Sequence, residues 1–100
     1  MIQAQINLPL YDNDGKSVKR IHKQLEIELS EICGGFTTFK GQGGWLDKGK
    51  LYNDSLMIYQ IAIDKKLENK IVKIAKKYGL KTRQLAIYTV INGKVKIINI

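Results

Sequence analysis

The chain has 100 residues, 44% apolar content and a formal net charge of +8, which describes one small domain spanning residues 1–100. Its single cysteine excludes an internal disulfide and any zinc site built from several cysteines. No run approaches the roughly 18 apolar residues of a membrane span, and the first residues lack the pattern of a signal peptide. We therefore expect a cytoplasmic protein with no membrane partner.

The first half of the chain predicts a strand followed by a helix. Residues 2–10 alternate between apolar and polar side chains, which is typical of a strand with one buried face. The sequence YDNDGKS then predicts a turn, because Asp and Asn bind local backbone amides and Gly tolerates a positive φ. A helix is expected after it, ending at Gly34 and Gly35. Its apolar stripe consists of Val18, Ile21, Leu25, Leu29 and Ile32.

The middle of the chain predicts two strands separated by a flexible bend. Residues 36–40 are expected to form a short strand, and the glycine-rich segment after it is expected to bend the chain. Residues 56–63 are apolar on both faces, which favours a central position in a sheet. Asp64 is expected to cap a second helix that ends at Gly79.

The last segment, LAIYTVINGKVKIINI, predicts a hairpin whose turn is Asn92-Gly93, a pair that favours a two-residue type I′ turn. The element order is therefore β-α-β-β-α-β-β. This order predicts an α+β domain, namely a ferredoxin-like β-α-β-β-α-β unit with an additional C-terminal strand. Both helices are expected on one face of a mainly antiparallel sheet, and the final strand is expected at an edge.

Basic side chains form two candidate anion-binding groups. On the second helix, lysines recur at steps of four, three and four residues, so they share one face. A second group surrounds the start of the first helix. Such a surface can contact phosphate groups, although a solvated lysine-rich surface is the competing interpretation. The two groups are Lys66, Lys70, Lys73 and Lys77, and Lys16, Lys19, Arg20 and Lys23.

No catalytic motif is found in the sequence. DGKS lies between a predicted strand and helix, but the P-loop glycine five residues before Gly15 is replaced by Leu10. His22 has Glu26 one helical turn away, a pairing that can orient an imidazole, yet no nucleophile accompanies it. His22 and Cys33 do not make a metal-ligand set. The sequence thus predicts no catalytic, cofactor-binding or metal-binding residue.

The glycine-rich stretch CGGFTTFKGQGGW admits two interpretations. In the first, Trp45 folds back over the sheet or a helix end, because burial is the commonest use of a large aromatic side chain. In the second, Phe39, Trp45 and Tyr52 form an interaction rim beside the glycine segment.

Residues 34–63 resemble a family of small uncharacterised ferredoxin-like proteins from prokaryotes and their mobile elements. The resemblance implies the fold but no reaction and no cofactor. The matching positions are Gly35, Phe36, Thr37, Gly43, Trp45, Asp47, Gly49, Leu51 and Asp54.

From these observations we expect a non-enzymatic binding module without a cofactor. It is predicted to form a homodimer through its sheet or its last strand and to act by contact with a protein partner. The alternative is a basic accessory protein that binds nucleic acid through the lysine-rich second helix. A third interpretation is a small enzyme or ligand-binding protein with a pocket beside the glycine-rich bend, which would require an exposed or mobile Trp45.

Overall fold

The computed structural model describes residues 1–100 and contains five strands and two α-helices. The strands form one antiparallel sheet in the order β2-β3-β1-β4-β5. The predicted α+β class, with a mainly antiparallel sheet, is thereby confirmed. The elements are β1 (Ile2–Pro9), α1 (Lys19–Cys33), β2 (Thr37–Asp47), β3 (Lys50–Ile63), α2 (Glu68–Lys81), β4 (Ala86–Ile91) and β5 (Lys94–Asn99).

The core lies between one face of the sheet and the two helices. Alternate residues of each strand point to the same side, so the polar-apolar alternation of β1 places its apolar residues in the core. Leu25 and Leu29 of α1 are fully buried against this face, as are Ile71 and Ala75 of α2. The strand residues in the same cluster are Ala4, Ile6, Leu8, Tyr59, Ile61, Ile63, Ile87, Ile91 and Ile98.

Local hydrogen bonds mark both ends of helix α1. The Ser17 hydroxyl accepts a hydrogen bond from the Lys19 amide at 3.3 Å near the first turn. At the other end, Gly34 has a φ of 82°, and its N–H donates to the Ser30 carbonyl. The left-handed conformation is easy only for glycine, so the predicted stop at this position is confirmed.

Strands β2 and β3 form a hairpin much longer than predicted. The expected bend in the glycine-rich segment is wrong, because β2 continues unbroken to Asp47. The glycine at position 41 has a packing role within this strand. A Cβ there would lie 2.9 Å from the Ile58 Cδ1 atom, so the glycine makes room for a cross-strand side chain. The chain turns instead at Lys48 and Gly49, both with positive φ. The outer half of this hairpin, residues 42–55, lies beyond the end of the β1-β3 ladder and is almost wholly exposed, and we call it the arm.

Helix α2 also differs from its prediction. Asp64 caps a single 3-10 turn, where its side chain accepts a hydrogen bond from the Lys66 amide. The helix then runs through Gly79 to Lys81, so the predicted stop is wrong. Gly79 is buried, and a Cβ there would lie 2.6 Å from both Ile87 and Ile100 side-chain atoms. Its role is close packing of the helix on β4 and the C-terminus.

The C-terminal hairpin follows the sequence prediction. Asn92 and Gly93 have φ values of 53° and 78°, as a type I′ turn requires. Strand β5 pairs with β4 alone and therefore lies at the edge of the sheet. Neither helix has the length and apolar character needed to cross a bilayer.

Candidate functional site

A cleft of about 420 Å³ opens at the start of α1, between this helix and strands β2 and β3. Its lining carries three ammonium groups and one carboxylate beside aromatic and apolar surface. This mixture of a concave shape with a few convergent polar groups is typical of a small-molecule site. The lining residues are Leu10, Tyr11, Ser17, Lys19, His22, Lys23, Glu26, Lys40 and Met57.

The turn after β1 brings the lining residues together. The Asp12 side chain accepts hydrogen bonds from the Asp14 and Lys16 amides, each at 2.9 Å, which folds the turn back on itself. Tyr11 therefore pairs with Ser17 in an isolated bridge, and the first turns of α1 lie beside the end of β1. On the opposite wall, Lys40 of β2 and Met57 of β3 are direct cross-strand partners.

His22 and Glu26 of the cleft lining form a row of hydrogen bonds with the buried Tyr59, and we call these three residues the triad. The His22 Nδ1 atom lies 2.6 Å from the Tyr59 hydroxyl, and that hydroxyl lies 3.1 Å from a Glu26 oxygen. The other ring nitrogen of His22 lies 2.7 Å from the Pro9 carbonyl oxygen. Tyr59 is fully buried and His22 is only 5% exposed, while Glu26 is half-buried.

The electrostatic environment keeps the Tyr59 hydroxyl protonated. Burial, then the charge of Glu26 and the hydrogen bond to it, raise the pKa of Tyr59 well above its usual value of 10.0. A neutral phenol in this position can pass a hydrogen bond between its neighbours but does not act as a phenolate base at neutral pH.

Sequence reasoning paired His22 with Glu26 but missed the residue that joins them. Tyr59 belongs to the strand predicted at residues 56–63 and points to its buried side. A buried tyrosine hydroxyl needs a polar partner. This need for a partner is the signal that could have pointed from Tyr59 to the polar residues His22 and Glu26 of the predicted helix.

The structure places the predicted basic residues in different environments. Of the group near α1, Lys19 and Lys23 line the cleft, together with Lys40, which was not predicted. Lys16 and Arg20 are exposed outside it. On α2, Lys66, Lys70 and Lys73 are exposed, whereas Lys77 is bound to Glu28 of α1. The α2 group does not contribute to this cleft, and anion binding there stays a prediction.

The predicted aromatic rim lies on the β2-β3 hairpin. Trp45 does not fold back over a helix end: it is 51% exposed and stacks on Tyr52, with ring centres 4.5 Å apart. The Trp45 indole N–H donates to the Asp54 carboxylate at 3.3 Å. Phe39 lies on the same face of β2 as Trp45, but it pairs with Ile58 outside the arm. A role of these residues in binding a partner stays a prediction.

No three His, Cys, Asp or Glu side chains come close enough together to hold a metal ion.

Comparisons with known proteins give a fold match but no sequence match. No protein-family model and no curated protein matches the chain. The fold is similar to that of a phage SAM lyase in its apo state, with a TM-score of 0.73 and 16% identity over 99% of this chain and 89% of that one. A phage SAM lyase in complex with S-methyl-5'-thioadenosine matches with a TM-score of 0.75 and the same identity and coverage.

This likeness corrects the functional prediction. The expectation of a non-enzymatic module that acts through protein contacts is contradicted, because two solved structures that share the fold over nearly the whole chain are those of an enzyme. The nucleic-acid alternative belonged to the same prediction and is set aside with it.

Proposed function

We propose that this protein binds SAM in the cleft beside α1 and acts on it as a lyase. The observation that carries the proposal is the likeness of its fold to a phage SAM lyase in complex with S-methyl-5'-thioadenosine. The cleft supports the proposal because its charges suit the ligand. SAM carries a sulfonium, an ammonium and a carboxylate group, and the cleft offers both signs of charge.

The charged groups and the adenine of SAM have chemically suitable partners in the cleft. The ammonium groups of Lys19, Lys23 and Lys40 are suited to the carboxylate of the amino-acid arm. Tyr11, which is 53% exposed at the rim, offers a ring on which adenine can stack. Glu26 is the only carboxylate in the lining, and it is suited to the cationic groups.

The reaction needs little catalytic machinery. Breaking the bond between the sulfonium sulfur and Cγ of the amino-acid arm turns SAM into S-methyl-5'-thioadenosine, and the bonding electron pair neutralises the sulfur. The substrate's own carboxylate oxygen can attack Cγ as this bond breaks, which forms a five-membered lactone without an enzyme nucleophile. Positioning alone can accelerate such an intramolecular step strongly. The absence of a catalytic motif in the sequence therefore fits this chemistry.

The test is incubation of the purified protein with SAM, followed by chromatographic measurement of S-methyl-5'-thioadenosine. A sample without protein corrects for spontaneous breakdown. Mass analysis of the four-carbon product distinguishes the lactone, or homoserine formed from it by water, from the unsaturated amino acid that proton abstraction would give. Failure to accelerate the release of S-methyl-5'-thioadenosine would overturn the proposed activity.

Charge variants test the location of the site. Lys23→Met or Lys40→Met should raise the KM for SAM by roughly tenfold, because each removes a charged hydrogen-bond donor from the cleft. Lys73→Met is the matched control, since it makes the same change of charge on the exposed face of α2. Equal effects of all three variants would place the site elsewhere.

We also propose that the sheet is the ferredoxin-like arrangement with one added strand. The order β2-β3-β1-β4, with α1 following β1 and α2 following β3, supports this classification, and β5 is the addition. The resemblance to the mobile-element family, self-association and a cytoplasmic location stay predictions.

A further inference from the structure

The geometry of the triad limits which of its three side chains can carry a proton. The Pro9 carbonyl can only accept a hydrogen bond, so the His22 nitrogen 2.7 Å away must carry a proton. The Tyr59 hydroxyl has two close partners, His22 Nδ1 and a Glu26 oxygen, but a single proton to donate. One of these two partners must therefore donate to the Tyr59 oxygen.

Two arrangements satisfy every contact. In the first, His22 is an imidazolium that donates from Nδ1 to Tyr59, and Tyr59 donates to an ionised Glu26. In the second, Glu26 is protonated and donates to Tyr59, and Tyr59 donates to a neutral His22. A neutral His22 beside an ionised Glu26 would leave two acceptor atoms facing each other at one of the contacts, which is unfavourable at the buried Tyr59 hydroxyl.

The first arrangement is favoured by the ordinary chemistry of the groups. This arrangement leaves the carboxylate of the half-buried Glu26 ionised where it lines the cleft and puts the additional proton on the imidazole nitrogen. The charged groups facing the triad are the ammonium groups of Lys19 and Lys23 from α1 and of Lys40 from β2. These cations attract the carboxylate of Glu26 and repel a positive charge on His22, which is the more buried of the two. In this first arrangement the triad carries no net charge, with its negative end at the cleft and its positive end buried.

We propose that Glu26 is the carboxylate that selects a cationic sulfonium ligand over a neutral thioether, and that His22, acting through Tyr59, is the positioning residue that keeps it ionised. The identity of the ligand rests on the function proposed above, whereas the state of the triad does not. Because cleavage neutralises the sulfur, the same carboxylate holds the substrate and loses its attraction for the product.

The protonation state of the triad is measured on the protein without ligand. His22 is the only histidine in the chain, so its ring nitrogens give unambiguous ¹⁵N signals. At pH 7.5 we expect both nitrogens to carry a proton in the unchanged protein. Glu26→Gln and Tyr59→Phe should each convert His22 to the neutral ring protonated at Nε2. A neutral His22 in the unchanged protein, or variants that leave its signals as they are, would overturn the proposal.

A matched control separates the triad from a general loss of charge. Glu31→Gln removes an exposed carboxylate from the same helix and should leave the His22 signals at their imidazolium positions. Circular dichroism and thermal unfolding establish that each variant is folded.

Charge selection is measured with two ligands that are not cleaved. Sinefungin carries an ammonium group where SAM has its sulfonium, and S-adenosylhomocysteine carries a neutral thioether there. The protein should bind sinefungin at least about fivefold more tightly, as one partly screened charge pair allows. Glu26→Gln should remove that preference, and Glu31→Gln should keep it.

The outcomes separate the two proposals. Equal binding of both ligands by the unchanged protein would overturn charge selection by Glu26 and leave the proposed function standing. Binding of neither ligand would overturn the proposed function and the ligand-facing role of Glu26 together, while the ¹⁵N signals of the free protein would still decide the state of the triad.

Discussion

Lys77 of α2 and Glu28 of α1 tie the two helices together, with the Lys77 Nζ atom donating to a Glu28 oxygen at 2.6 Å. The ammonium groups of Lys77 and Lys81 also lie over the ring of Tyr78, at 5.2 Å from its centre in both cases. Lys81 in turn donates to Gln24 of α1 at 3.0 Å. Lysines that look like a free basic surface in the sequence thus partly serve to join α2 to α1.

The first prediction concerns acid stability. Burial acts to raise the pKa of Glu28, but hydrogen bonding and the charges of Lys77 and Lys81 outweigh it, so its pKa is lowered from 4.5. A lowered folded-state pKa stabilises the fold above pH 4.5, and this stability is lost as the pH falls through the lowered value. Lys77→Met should therefore cost about 0.5–1 kcal/mol of unfolding free energy at pH 7 and less in acid.

Urea unfolding at pH 7 and near pH 3 measures this difference. Lys73→Met, which removes an exposed ammonium group from the same helix, is the control for a general effect of charge. A cost of Lys77→Met that is the same at both pH values would contradict the assignment.

The second prediction concerns alkaline stability. Burial, followed by the hydrogen bond and the charge of Glu28, raises the pKa of Tyr78 from 10.0 to about 12. Between these values the unfolded chain releases a proton that the folded protein keeps, so stability is complete below pH 10 and falls as the pH rises towards 12. Tyr59, with its raised pKa, acts in the same direction.

Tyr78→Phe should therefore reduce the loss of unfolding free energy with rising pH, by up to about 1.4 kcal/mol per pH unit in this interval. Absorbance near 295 nm follows tyrosine ionisation, and urea unfolding follows stability. Tyr88→Phe removes a more exposed hydroxyl from β4 and is the matched control. An unchanged slope in Tyr78→Phe would show that this residue does not resist ionisation.

The third prediction tests the close packing at Gly79. Ala is favoured over Gly within a helix by about 1 kcal/mol, but a Cβ here would lie 2.6 Å from the Ile87 Cγ1 atom in the core. Overpacking of this kind costs about 1–3 kcal/mol. We therefore expect Gly79→Ala to destabilise the protein, as measured by thermal and urea unfolding.

Gly35→Ala is the matched control for that substitution. No atom lies within 4 Å of a Cβ built at Gly35, and its φ is not in the left-handed region. This variant should leave stability unchanged or raise it slightly. If Gly79→Ala were as stable as Gly35→Ala, the close approach would not constrain the sequence.

These glycines also show how far the sequence could predict the fold. Local signals sufficed for Gly34 and for Asn92-Gly93, because each takes a positive φ within its own turn. Gly41 and Gly79 were misread as a bend and a stop, because their role depends on side chains that are distant in the chain. Periodicity identified the buried faces of β1 and α1, but it carries no information about partners across the sheet.

The candidate site was only partly predictable for the same reason. The spacing of His22 and Glu26 is a local helical relationship, so the sequence reveals it. Tyr59 reaches His22 across 37 positions of the chain, and Lys40 reaches the cleft only because β2 pairs with β3. Such contacts are fixed by strand register, which a single sequence does not specify when both faces of a strand are apolar.

The last prediction concerns the arm, where two aromatic residues stack without cover from the rest of the protein. Trp45 is the only tryptophan, so its fluorescence reports this position alone. At low micromolar concentration, acrylamide should quench it efficiently, and Tyr52→Ala should shift its emission to longer wavelength and lower stability by about 0.5 kcal/mol. Leu46 and Leu51, 69% and 62% exposed, leave further apolar surface on the arm.

The same signal tests the predicted self-association. If copies of the chain associate through the arm, raising the concentration should shift the Trp45 emission to shorter wavelength and protect it from acrylamide, because apolar surface leaves water. Tyr88→Ala, which removes an aromatic ring from β4, a strand separated from β3 by β1, is the control for aromatic loss away from the arm. Sedimentation velocity on the same samples gives the mass independently. Emission and quenching that do not change with concentration, together with a monomer mass, would contradict association through the arm.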